Sequence, residues 1–195
     1  FKKGYKSGSF KLAVPAAVGE NNSFNDEQVQ GGEIGMKSRL ADRSVLLNLA
    51  GYYYVYKGLQ VGGIEPAPNG VPLVKTVNAG RAETYGVDAD LVWRPAQVEG
   101  LNLNLSVNWN HARYKELDNI PCYANQTISM GCVNFPNPNT LDPGTGLPRF
   151  TGQELSGTPM VRAPEWSVNA CVDYEMPVGS GMKLRLSNNN QISSK

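Results

Sequence analysis

Between Leu101 and Asn110 the chain alternates without a break: Leu101, Leu103, Leu105, Val107 and Trp109 take turns with Asn102, Asn104, Ser106, Asn108 and Asn110. A β-strand has a side-chain period of two, so this segment reads as a strand with an apolar row on one face and an amide row on the other. An ordinary sheet covers its apolar face with a second layer. A membrane barrel leaves that face against hydrocarbon and turns the polar face to a wet lumen. The partner of the apolar row therefore decides the class of the protein.

The pattern recurs. In residues 81–94, Tyr85, Val87, Ala89, Leu91 and Trp93 oppose Thr84, Gly86, Asp88, Asp90 and Arg94. In residues 166–175, Trp166, Val168, Ala170, Val172 and Tyr174 oppose Ser167, Asn169, Cys171, Asp173 and Glu175. Val45, Leu47, Leu49, Gly51, Tyr53 and Val55 alternate in the same way, with shorter runs around Ile34, Met36 and Leu40 and around Met182, Leu184 and Leu186. No segment has a comparable helical period. Seven strands are predicted, at roughly residues 1–7, 29–40, 44–62, 73–94, 101–114, 163–176 and 182–195. The polar row supplies candidate lumen-lining residues: Asp88, Asp90, Asn102, Asn104, Asn108 and Asp173. Glycosidases also use paired carboxylates, but lumen charges balanced by Arg94, Lys183 or Arg185 are the preferred reading, and no enzymatic activity is expected.

Composition narrows the partners. With 195 residues, 41% hydrophobic, 18% charged and a formal net charge of +1, the chain suits neither nucleic acid nor disorder. No run approaches the ~18 apolar residues of a membrane helix, yet barrel strands of about ten alternating residues escape that test. Trp93, Trp109, Trp166 and the tyrosines Tyr52, Tyr53, Tyr54, Tyr56, Tyr85, Tyr114 and Tyr174 are expected near strand ends, as aromatic girdles at a membrane boundary. The single histidine, His111, rules out a multi-histidine metal site and is read as an end-of-strand surface residue. No cofactor or metal is expected.

The connections alternate between tight and long. Ala41-Asp42-Arg43, Pro95–Gly100 and Pro177–Gly181 read as tight turns, since Gly and Pro supply their geometry. Residues 8–28, residues 63–72 around Pro66, Pro68, Asn69 and Gly70, and above all residues 115–162 read as long loops. Short turns at one end and long loops at the other fit an up-and-down barrel. The 115–162 loop holds Cys122 and Cys132, whose simplest state in an oxidising compartment is a disulfide, with two free thiols as the alternative. Cys171 is left over and is read as an isolated buried thiol.

Further motifs carry a resemblance. Gly4–Phe10 (GYKSGSF), Phe24–Leu40 with Glu33, Gly35, Lys37 and Ser38, the pair Tyr56 and Gln60, and Asn78–Pro95 with Asn78, Ala79, Gly80, Ala82, Gly86, Val87 and Asp88 resemble TonB-dependent outer-membrane receptors. The segment Leu155–Pro177 continues the likeness. The resemblance implies an all-β fold: about seven antiparallel strands of a transmembrane barrel of about 22 strands, with short periplasmic turns and long extracellular loops. It also implies that the plug domain, the energy-coupling box that meets TonB, the remaining strands and the closing strand lie outside these 195 residues, and that the structure shows either a curved, open sheet or this segment embedded in a longer polypeptide. The implied function is uptake of a scarce nutrient, as siderophore-iron, cobalamin or an oligosaccharide, across the bacterial outer membrane, with membrane lipid, the TonB complex and a small-molecule or glycan ligand as partners. In that setting the 115–162 loop is the candidate ligand contact. The alternative is a soluble, secreted β-sandwich that binds carbohydrate, its apolar faces packed on each other.

Overall fold

The computed structural model describes residues 1–10, 23–66, 72–78 and 80–194. Ala79, Pro68, Asn69 and Gly70, named above, lie outside them. Along the chain come β1 (Lys2–Lys6), β2 (Ser9–Phe10), β3 (Ser23–Phe24), β4 (Glu27–Leu40), β5 (Val45–Lys57), β6 (Gln60–Pro66) and β7 (Pro72–Asn78). There follow β8 (Gly80–Trp93), β9 (Leu101–Leu117), β10 (Ile120–Pro121), β11 (Cys132–Leu141), β12 (Pro148–Gln153), β13 (Trp166–Pro177) and β14 (Lys183–Ser193).

Seven of these form one antiparallel sheet in the order β1-β4-β5-β8-β9-β13-β14. The sheet is open, with β1 and β14 as its edges. Its register fuses the alternations of separate strands into two continuous surfaces. Leu49, Ala89, Val107 and Val168 make one lateral row of the apolar face, and Leu47, Leu91, Leu105 and Ala170 the next. On the other face Asn48, Asp90, Ser106 and Asn169 stand in line.

Among the described residues no second layer covers the apolar face. Ile34 is 82% exposed and Ile192 70%. The buried apolar residues among those described are Leu59, Ile64, Ala82, Ala112, Tyr114, Leu117 and Cys132, none of them on the apolar face. The accessible surface is 13286 Å², where a compact globule of this mass would expose roughly 9,000 Å². A sandwich core is therefore absent from this sheet.

Two of the expected strands are divided. The strand expected over 44–62 ends at Lys57, because Gly58 takes a φ of +63° and turns the chain. That expected over 73–94 is split between Asn78 and Gly80, so β6 and β7 pair as a separate hairpin. The 115–162 loop starts later than expected, since β9 runs to Leu117, and it is not irregular. Within it β10, β12 and β11 make a three-stranded sheet.

The short turns lie at one end of the large sheet. In the first, Ala41, Asp42 and Arg43 all have positive φ (48°, 51° and 70°), and the Ser44 N–H closes it on the Ala41 carbonyl at 2.9 Å. In the second, Gly100 has a φ of +81°, and a Cβ there would meet the Glu175 carbonyl at 1.9 Å. Its own carbonyl accepts the Glu175 N–H at 3.0 Å, fastening the turn to β13.

Candidate functional site

The polar face is a hydrogen-bonded column running from the turn end to the loop end. At the turn end Asp173 accepts from Arg185 at 2.8 Å and Glu175 from Lys183 at 2.6 Å, while Arg94 Nε donates to Asn102 Oδ1 at 3.2 Å. Arg94, Glu99, Asn102, Asp173, Glu175 and Arg185 border a cavity of about 610 Å³. Higher up, Ser106 donates to Asp90 at 2.7 Å and Asn108 to Asp88 at 2.5 Å. Asp173 and Glu175 thus have the cationic partners expected of them, whereas Asp88 and Asp90 are held by neutral donors. Asn104 stands level with Val92 and Cys171 on its neighbours.

Two expectations change here. Tyr52 and Tyr54 point into the polar face, away from any girdle: Tyr52 donates to Asn110 at 3.1 Å and Tyr54 to Glu33 at 2.6 Å. Tyr56 and Tyr114 share this face, flanking Ala82. Cys171 is half-buried, not buried, and has an acid beside it, its Sγ 3.5 Å from Asp173 Oδ2. The strand period brings both side chains to one face, two residues apart.

At the loop end the column meets a small apolar core. Leu59, Ala82, Tyr114 and Leu117 are buried there, with Tyr56, Val61, Ile120, Leu155 and Met160 packed on them. The return arm of the long loop is bonded along β9: Leu155 N–H to Leu117 O at 2.8 Å, Gly157 N–H to Tyr114 O at 2.7 Å and Met160 N–H to Ala112 O at 3.0 Å. The loop is thereby anchored over the mouth of the polar face.

Gln60 and Asn78, flagged above only as motif positions, knot the loops together. They face each other at the base of the β6–β7 hairpin. Gln60 Nε2 donates to the carbonyls of Ser7 and Asn25 at 3.0 and 3.1 Å. Asn78 donates to the carbonyls of Asn25 and Gly58 at 2.8 and 2.9 Å and accepts the Asn25 N–H at 2.6 Å. Amides suit this task because each supplies both donor and acceptor. Asn110, a third hub, accepts from Tyr52 and from Thr84, and the amide row of β9 already contained it.

In the long loop the Cys122 and Cys132 sulfurs are bonded, with Cα atoms 5.8 Å apart. Cys132, Gln126, Thr127, Asp142, Arg149 and Phe150 border a second cavity, of about 570 Å³. Asp142 folds one wall: its Oδ1 accepts the N–H groups of Gly144 at 3.0 Å and Thr145 at 3.1 Å. These two bonds, ahead of the Thr145 hydroxyl and the Arg149 charge, hold its carboxyl below the usual aspartate range. A carboxyl lowered on folding stabilises the turn fully above its unfolded pKa of ~3.9, and that contribution disappears as pH falls through the lower folded value. Amide resonances of Gly144 and Thr145, followed from pH 6 to pH 2, should therefore move with a midpoint below ~3.9. Asp142→Asn should abolish the transition.

The apolar face carries the aromatic groups that were expected to form a belt. Tyr53 stacks on Tyr85 (6.3 Å between ring centres), Tyr85 meets Trp109 edge-on (5.9 Å), and Trp109 lies 6.4 Å from Trp166. His111 belongs to this row and not to a strand end. It lies within β9, stacked 4.8 Å from Tyr85, and accepts from Arg113 at 3.1 Å.

Comparison with known proteins gives a family and a fold. A family model described as TonB dependent receptor-like, beta-barrel, matches residues 3–190. Among solved structures, the ferric yersiniabactin uptake receptor FyuA from Yersinia pestis superposes with a TM-score of 0.58 at 19% identity, over 96% of this chain. The chain spans 22% of the length of that receptor. No curated protein matches significantly.

Proposed function

Because the chain belongs to the TonB-dependent receptor β-barrel family, we propose that it is one sector of the barrel wall of an outer-membrane receptor that captures a scarce extracellular nutrient and imports it with energy delivered through TonB. The observation that carries this reading is the bare apolar face of the seven-stranded sheet. Such a face in water would drive aggregation, whereas hydrocarbon satisfies it without a second layer. In this reading Asp88, Asp90, Asn102, Asn104, Asn108 and Asp173 line the lumen. The plug and the other strands come from the rest of a longer polypeptide, which also pairs the two edges, since open edges are not tolerated in hydrocarbon.

The distance between the aromatic groups supports the span. Trp93 and Tyr85 bracket the apolar row of β8, eight residues apart, which is ~26 Å along a strand and ~20 Å of height at a tilt of about 40°. That is close to the ~25 Å band of outer-membrane barrels. In this reading the short turns lie in the periplasm and the long loops outside.

The loop closed by Cys122 and Cys132 is then the ligand contact contributed by this sector, anchored by its own arms over the lumen mouth. The cargo is a small molecule or glycan, of the order of a metal chelate, a cobalamin or an oligosaccharide. Growth of a deletion strain across iron sources, cobalamin and glycans tests this: one nutrient should fail to support growth at low concentration, and the intact gene should restore it. Replacing residues 122–153 with a short Gly-Ser linker should reproduce the defect while the receptor remains in the membrane fraction. Partition of the intact protein into the aqueous phase without detergent would overturn the reading.

A further inference from the structure

The apolar face keeps its character across four strands and loses it on the next. On β5, β8, β9 and β13 every residue of that face between the aromatic levels is apolar or glycine. The bracket on β13 is Trp166 and Tyr174, eight residues apart like Tyr85 and Trp93 on β8, with Val168, Ala170 and Val172 between them. It lies one row nearer the turn end than the bracket on β8, the drift that a strand tilt of about 40° produces over two strands. Beside these residues on β14 stand Ile192, Asn190 and Asn188, with Leu186 level with Tyr174 and Leu184 with Met176. Two asparagines therefore hold outward positions, on either side of mid-depth. The opposite side of β14 confirms its facing, because Arg185 and Lys183 reach Asp173 and Glu175 on the polar face.

Hydrocarbon offers these amides nothing. Asn190 Nδ2 donates to Asn188 Oδ1, and neither side chain has another hydrogen bond among the described residues. The pair keeps three free N–H groups and the whole of the Asn190 carbonyl oxygen. A polar group without a hydrogen bond is costly in an apolar medium, and polar side chains at membrane depth meet other polar groups.

We propose that the outward face of β14 at Asn188 and Asn190 is where a second copy of this receptor docks, side by side in the membrane. The inference rests on the membrane-spanning reading above. A two-fold axis along the membrane normal keeps every residue at its own depth, so it sets the amide pair of one copy against that of the other. An amide carries donor and acceptor together, and the free groups of one pair find the same set opposite. A pair of carboxylates or of ammonium groups would repel its own copy. Ile192 on one side and Leu184 and Leu186 on the other extend the contact with apolar side chains. Pairing of the β14 edge by a further strand leaves this surface open, because ladder bonds lie in the sheet and these side chains stand perpendicular to it.

The test uses the intact receptor in native outer membranes, with its free thiols, Cys171 among them, replaced by serine. On mild oxidation Asn190→Cys should give a covalent dimer, in excess of any from Leu47→Cys, which lies on the same lateral row four strands away. In lipid vesicles Asn188→Leu/Asn190→Leu should weaken self-association about tenfold, the scale of two hydrogen bonds lost inside a membrane, while the receptor still inserts and folds. Cross-linking no stronger at position 190 than at position 47, or self-association unchanged by the double variant, overturns the interface and leaves the receptor reading intact. A monomer that the double variant destabilises also overturns it, by assigning the amides to a neighbouring strand of the same chain. A covalent adduct to a different protein overturns it by assigning them to another partner. A receptor that partitions into water without detergent fails the membrane reading itself.

Discussion

Val107→Arg should destabilise the folded barrel by about 2–4 kcal/mol, the range for a cation at mid-depth on a lipid face, while Ser106→Arg, one residue away, should cost less than about 1 kcal/mol. Val107 sits in the row of Leu49, Ala89 and Val168, midway between the two aromatic levels. Ser106 points to the opposite face, where an added charge stays hydrated. Depth supplies the internal control. Val55→Arg lies on the same face as Val107 but level with Glu83 and Arg113, where the penalty should fall to about 0–1 kcal/mol. Urea unfolding of the intact receptor in lipid vesicles measures all three. Equal penalties at positions 55 and 107 would mean that something other than a bilayer covers this face.

Gly86→Val should cost about 3 kcal/mol or more, larger than its position in a repetitive strand suggests. Gly86 is buried on the polar face, directly opposite Tyr52 in the ladder. A Cβ there would lie 2.2 Å from the Trp109 carbonyl and 2.6 Å from the Tyr52 hydroxyl. The Tyr52 ring could swing away, losing its bond to Asn110, but the Trp109 carbonyl belongs to the β9 backbone and cannot. The double variant Gly86→Val/Tyr52→Ala should therefore recover only part of the loss, and a double-mutant cycle reads the recoverable share. A Gly86→Val protein within ~0.5 kcal/mol of the parent would show that this ladder is looser than its register implies.

Gly86 also shows how far sequence reasoning reaches. Its place in the polar row follows from alternation, and its place in a motif from resemblance. That it must be glycine follows only when β5 is laid beside β8 and Tyr52 comes to rest over it. Gln60 and Asn78 are a similar case: their partners are backbone carbonyls on Ser7, Asn25 and Gly58, and carbonyls leave no trace in residue identity. Cys171 and His111 differ from expectation for separate reasons. The acid beside Cys171 follows from the strand period alone, whereas His111 lies mid-strand because a loop arm bonded along β9 carries that strand onward to Leu117.

The sequence by itself determined the strands, their two chemically distinct faces and the division into short turns and long loops. These follow from the period-two geometry of the extended chain and from local turn chemistry, which act within a few residues. The tertiary structure decided that the apolar face has no covering layer among the described residues, and that the tyrosines split between two faces. Those features depend on which residues become lateral neighbours, and hydrogen-bond registers between strands far apart in the chain set that.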